Sequence, residues 1–103
     1  MADYLGEFEH LVLLAIARLG DDAHGVAIRQ TLRERADRRA SFGAIYSTIR
    51  RLEDKGLVRS HLGESTPVRG GRAKKQLSLT ARGRAAMNSA QRAFRVMADG
   101  LDS

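Results

Sequence analysis

The chain contains no cysteine. A disulfide framework, a thiolate metal site and a cysteine nucleophile are therefore excluded. Its longest apolar run, Leu11 to Ala17, holds seven residues, about a third of what a bilayer span requires. The N-terminal "MADYLGEFEH" is acidic where a secretory signal would be basic. These features lead to the expectation of a cytoplasmic protein with no membrane association. Acid is missing from Ser65 to Ala98, a window with eight Arg or Lys, and all twelve acids lie outside it. So one-sided a field favours a polyanion, either nucleic acid or an anionic membrane surface, although charge alone leaves a solvated basic surface equally open.

With 103 residues, 43% of them hydrophobic and 29% charged, the chain has the size and composition of one folded domain with a modest core, to whose stability a partner subunit would matter. Phe8, Leu11, Val12, Ala15, Ile16 and Leu19 recur at the spacing of one helical face, which predicts a first helix over 7–19. Gly20 stops it, and Asp21 or Asp22 is positioned to cap a second helix through Val26, Ile28 and Leu32, completed by "RERADRRA". Ser41 is the expected cap of a third helix, with Phe42, Ile45, Ile49 and Leu52 along one face and Ala44, Ser47, Thr48, Arg50 and Arg51 pointing elsewhere. Gly56 ends it.

"LVRSHL" over 57–62 and "KQLSL" over 75–79 read as strands, joined by the hairpin loop "GESTPVRGGRAK", which holds the only proline. Thr80 would cap a last helix reaching about Ala98, with Met87, Ala90, Phe94, Met97 and Leu101 at the three-and-four spacing of a helix seam. The expected fold is thus α+β and mostly α: a winged helix-turn-helix of three helices and a two-stranded wing over 1–80, then a C-terminal dimerisation helix over 81–103. In such a fold the third helix enters the major groove of double-stranded DNA. The wing cations Arg69, Arg72, Lys74 and Lys75 would release counterions from neighbouring phosphates.

"FGAIYSTIRRLEDKGLVRS" followed by "GGRAKKQLSLTARG" is similar to the signature of the PadR family of bacterial transcriptional regulators, and "EFEHLVLLAIARLGDDAHGVAI" resembles that family's first helix and turn. The likeness covers roughly residues 5–84, and the short remainder resembles the smaller PadR-like subgroup. It implies a homodimeric repressor joined through the C-terminal helix, with the first helix contributing. In many members it also implies release from DNA by a small molecule. Three positions depart from the pattern. Ser47 stands where the family commonly has proline, leaving the helix start another hydrogen-bond donor, and Gln76 and Leu77 replace an aromatic pair.

The expected DNA-binding residues are Ser41, Ala44, Tyr46, Ser47, Thr48, Arg50, Arg51, Arg69, Arg72, Lys74 and Lys75. The family places a tyrosine near the DNA backbone, so Tyr46 would donate to a phosphate, with packing against Ile45 and Ile49 as the rival role. Arginine pairs with guanine at two atoms and hydroxyls pair with several bases, so base reading would fall to a few of Ser47, Thr48, Arg50 and Arg51. Arg51 also has Glu53 and Asp54 within reach.

The expected dimer contacts are Phe8, Leu11, Met87, Ala90, Phe94, Met97 and Leu101. Phe8, Phe94 and Met97 would equally suit a pocket for a small apolar or aromatic effector or a filled dimer core. The three histidines share neither a helix face nor a ligand spacing, and "RGGRAKK" falls in a hairpin instead of the strand-to-helix turn of a phosphate loop. No cofactor, metal or enzymatic activity is expected. The rival reading is a winged-helix module for protein interaction, with an incidental basic wing.

Overall fold

The computed structural model describes residues 4–62 and 75–101. Helix α1 spans Glu7–Leu19, a 3-10 turn Gly20–Asp22, helix α2 Gly25–Ala36 and helix α3 Phe42–Asp54; strands β1 (Val58–Leu62) and β2 (Lys75–Leu79) follow, then helix α4 (Ala81–Ala98). No described helix is long and apolar enough to cross a membrane.

Local chemistry explains most of these boundaries. The Glu9 carboxylate accepts from the Gly6 N–H at 2.9 Å, satisfying a donor left free at the start of α1. Gly20, at φ +57°, ends that helix. The cap of α2 is His24, whose Nδ1 accepts from Ala27 N–H at 3.4 Å. Neither Asp21 nor Asp22 serves, because both are spent in the tight turn before it.

Helix α2 is also shorter than the charged run suggested. Asp37 adopts a left-handed φ of 50°, and Arg38 N–H reaches back to Leu32 O at 3.0 Å, so the helix ends at Ala36 and residues 37–41 form the connection to α3. The hydroxyl of Ser41 caps α3, accepting from Ala44 N–H at 3.1 Å.

The two strands form an antiparallel hairpin in which Val58 faces Leu79 and Leu62 faces Lys75. The loop with Arg69, Arg72 and Lys74 lies outside the described residues. Three contacts tie the hairpin down. Leu77 N–H donates to Ala23 O at 2.8 Å and Thr80 N–H to Leu57 O at 3.1 Å. The Thr80 hydroxyl donates to Gly56 O at 2.7 Å while accepting from Gly83 N–H at 3.0 Å, so one side chain caps α4 and fixes it to the turn after α3.

The core lies between the helices and the hairpin. Val12, Leu13 and Ile16 of α1 meet Ile28 and Leu32 of α2, Ile45, Ile49 and Leu52 of α3, and Leu57 and Leu77 of the hairpin, all buried. Each contributes about 1.5–3 kcal/mol of gross hydrophobic stabilisation. Met87 is buried with them. At its height α4 still overlies the protomer, so this residue of the expected dimer seam is used in the protomer's own core.

Helix α4 crosses close to Leu57, and Gly83 permits it. A Cβ at position 83 would stand 1.9 Å from the Leu57 carbonyl oxygen, which belongs to backbone and cannot swing away. Gly83→Ala is expected to lower the unfolding free energy by about 1–3 kcal/mol or more, read as a lower urea midpoint; an unchanged midpoint would show that α4 is not seated here.

Candidate nucleic-acid interface

One side of α3 is sealed and the other open. Ile45, Thr48, Ile49 and Leu52 are buried, while Gly43, Ala44, Tyr46, Ser47, Arg50 and Arg51 are exposed. Thr48 therefore does not face outward as the sequence suggested. It falls one turn from Ile45 and Leu52 on the buried stripe, and its hydroxyl accepts from an Arg51 Nη at 3.1 Å. Phe42 departs in the opposite sense. At the first turn of α3 it stands beyond the cover of the core, and its ring stacks on Tyr46 at 6.3 Å with the Arg29 guanidinium 4.6 Å from its centroid.

Tyr46 is about half exposed. Its hydroxyl lies over the start of α2, so close that a Cβ on Gly25 would be 2.2 Å from the phenolic oxygen. Glycine at 25 thus makes the seat in which the tyrosine rests. Ser41, Ala44, Ser47 and Arg50 are exposed around it. Among the described residues Arg50 makes no hydrogen bond or ion pair.

Arg51 differs from its neighbour. Besides bonding Thr48, its Nε lies 3.8 Å from a Glu9 oxygen, so its partner is on α1 instead of Glu53 or Asp54. The same carboxylate accepts from Lys55 Nζ at 2.9 and 3.0 Å, and Lys55 also donates to Tyr4 O at 2.9 Å. Glu9 is thus a buried carboxylate that accepts from Gly6 and Lys55 and pairs with Arg51, holding α1 against the end of α3. Burial alone would push its pKa up; the hydrogen bonds from Gly6 and Lys55 and the charges of Lys55 and Arg51 outweigh that, and leave it below its ordinary 4.5.

The wing is attached at the same end of α3. Ser60 Oγ donates to Glu53 at 2.8 Å, and Lys75 Nζ lies 3.7 Å from that carboxylate. Lys75 remains exposed, and Arg59 of β1 is exposed on the neighbouring strand.

Away from this surface lies the other group of expected site residues, Phe8 and Leu11 on α1, Met87, Ala90, Phe94 and Met97 on α4, and Leu101 beyond its end. Phe8, Leu11 and Ala90 are half-buried, whereas Phe94, Val96, Met97 and Leu101 are 65%, 64%, 79% and 76% exposed. The Phe94 ring stacks on His10 at 5.8 Å. A groove of about 490 Å³ runs between α1 and α4, lined in part by Tyr4, His10, Leu14 and Phe94. His10 Nε2 is buried with no hydrogen-bond partner among the described residues, and burial pushes its pKa below 6.5.

A core of three helices, a third helix capped by serine and open on one side, and a hairpin clamped to its far end define a winged helix-turn-helix protein. Residues 12–89 match the transcriptional regulator PadR-like family. The chain belongs to that family, and its fold is that of a winged-helix DNA-binding transcriptional regulator.

Solved structures agree. A PadR family transcription regulator from Clostridium difficile is 25% identical with a TM-score of 0.75, over 89% of this chain and 91% of that one. A PadR-like transcriptional regulator from Bacillus cereus superposes with a TM-score of 0.72 at 18% identity, over 88% and 84% of the two chains. A winged-helix DNA-binding protein from STIV reaches 0.73 at 21% identity, over 97% and 100%. No curated protein matches the chain.

Sequence reasoning missed Glu9, Gly25 and the stacking of Arg29 on Phe42. Its local bond to Gly6 marks Glu9 only as a residue of a helix start, since its two cationic partners lie more than forty residues away; the second was visible only as a glycine at a helix start. Glu9→Gln is expected to cost about 1–3 kcal/mol near neutral pH, because two cations lose their carboxylate. A carboxyl whose folded pKa is depressed stabilises above its unfolded pKa, and that contribution fades as pH falls through the folded value. The variant's stability profile should therefore be flatter than that of the parent below about pH 4.5; parallel profiles in urea titrations would contradict the pairing.

Proposed function

We infer that the protein is a homodimeric repressor that binds a palindromic operator. Helix α3 enters the major groove and the wing cations Arg69, Arg72, Lys74 and Lys75 lie on phosphates. The winged helix-turn-helix occupies 1–80, and the segment 81–103 supplies dimerisation. The observation that carries this reading is the open side of α3, where small and hydroxyl side chains, a seated tyrosine and Arg50, without a partner among the described residues, share one surface. Ser47 and Arg50 are assigned to base edges, Tyr46 and Ser41 to phosphate, and Ala44 to close approach. Arg51 is assigned to holding α3, with DNA contact secondary.

The bare end of α4 supports the dimer. Phe94 and Met97 continue the helix seam past Met87, the last residue of it that the protomer buries, and Leu101 follows beyond the helix end at Ala98; a second chain would bury all three with Leu11 and Phe8. Two recognition helices about 34 Å apart then read the two halves of a palindrome. The groove between α1 and α4 supports control by a small apolar or aromatic effector, for which the unpaired His10 nitrogen offers one polar contact. Thermal stabilisation by members of a panel of such compounds is expected, and a panel without a hit would remove the effector from the reading.

Selection from genomic fragments is expected to enrich a palindrome whose affinity falls with salt at a log-log slope of roughly 0.9 per phosphate contacted. Phe94→Glu with Met97→Glu should yield monomers in sedimentation and abolish tight operator binding while α1–α3 stay folded. Failure to enrich any sequence, together with a flat salt response, would instead favour a protein-interaction module.

A further inference from the structure

Helix α2 and its connection to α3 carry a second set of like charges, apart from the wing. Arg29, Arg33 and Arg39 line a recess of about 180 Å³ with Ala40. Arg33 and Arg39 are exposed and, among the described residues, neither makes a hydrogen bond or an ion pair. Of the two acids near them in sequence, Glu34 accepts from Gln30 Nε2 at 2.6 Å, and Asp37, in the left-handed turn that ends α2, forms no ion pair with any of the three among the described residues. Arg29 is held in place on two sides: its Nε donates to Ala40 O at 3.1 Å and its guanidinium lies over the Phe42 ring at 4.6 Å.

Three guanidiniums round one recess repel each other, and an anion seated among them relieves that repulsion. Planar guanidinium forks suit an anion with several oxygens in fixed geometry, which is the description of a phosphate. The position of the recess matters as much as its charge. It adjoins Phe42, in the first turn of α3, where the helix dipole adds positive potential. The wing is fixed at the opposite end, where Lys75 faces Glu53. Thirteen residues of α3 separate the two ends by about 20 Å.

We propose that Arg29, Arg33 and Arg39 form a phosphodiester clamp that grips the DNA backbone beyond the N-terminal end of α3. Each protomer then holds the duplex on both sides of its groove contact, by the wing at one end of the recognition helix and by the α2 arginines at the other. The clamp rests on the DNA-binding reading and adds to it a longer footprint, with a flank that is held but not read.

The test compares the full-length protein with an R33A/R39A variant, whose fold circular dichroism checks, on a selected operator and on the same operator trimmed to the bases beneath the recognition helices. The parent protein should lose affinity on trimming. The variant should bind the long operator roughly tenfold more weakly, equally across sequences, with a salt slope smaller by about 1–2, and should be indifferent to trimming.

Inorganic phosphate distinguishes a free anion from a backbone. If millimolar phosphate stabilises the parent but not the variant while operator affinity and slope stay equal, the recess is a small-anion site and the clamp is overturned. Equal affinity, slope and trimming response with no phosphate effect overturn it outright. A parent protein that binds no DNA would instead sink the regulator reading, an outcome separable from both.

Discussion

The arrangement depends on burying a single apolar stripe. Ile45, Ile49 and Leu52 cannot remain in water, and α1 and α2 offer the surface that removes them from it. Once that stripe is sealed, a rigid helix has no freedom left about its own axis, and the remaining side must face outward. The identity of the outward residues is thus a by-product of hydrophobic burial. Thr48 shows how strict this is: its hydroxyl suits a base edge chemically, yet its place on the stripe turns it inward. Glu9 adds direction to the same constraint, since its carboxylate fastens Lys55 and Arg51 at the end of α3 and so fixes the tilt of the helix against α1.

Much of the fold was legible because it is written in short-range patterns. The bounds of α1 follow from apolar periodicity and a terminal glycine, those of β2 from alternation, and the starts of α3 and α4 from Ser41 and Thr80, whose hydroxyls bond amides three residues ahead. Errors gathered where two local signals competed. Before α2 two aspartates and a histidine were all able to cap, and the tight turn consumed the aspartates. At its end a charged, helix-compatible run was cut by one aspartate in a left-handed conformation.

The surface was less legible than the fold. Periodicity separates the faces of α3 but says little about which outward side chain already has a partner. Arg50 and Arg51 are adjacent and identical, and only the fold reveals that Arg51 is engaged by Thr48 and Glu9 while Arg50 has no partner among the described residues. Likewise, the seam over 87–101 reads as one continuous feature, but the fold divides it: Met87 is spent inside, Phe94 and Met97 are left largely exposed, and Leu101 falls beyond the end of α4. Helix α1 borders both regions, with Glu9 against the end of α3 and His10 against Phe94 one residue later.

The contact between Gly25 and Tyr46 has a consequence for how variants of this protein would be interpreted. Position 25 touches the outside world only through the tyrosine it accommodates, so enlarging it to alanine or serine would evict the phenol without altering any residue that meets a ligand. In a genetic screen such a change would masquerade as a lesion in recognition. Its suppressor would be a smaller ring or none at 46, and the two positions should be expected to vary together.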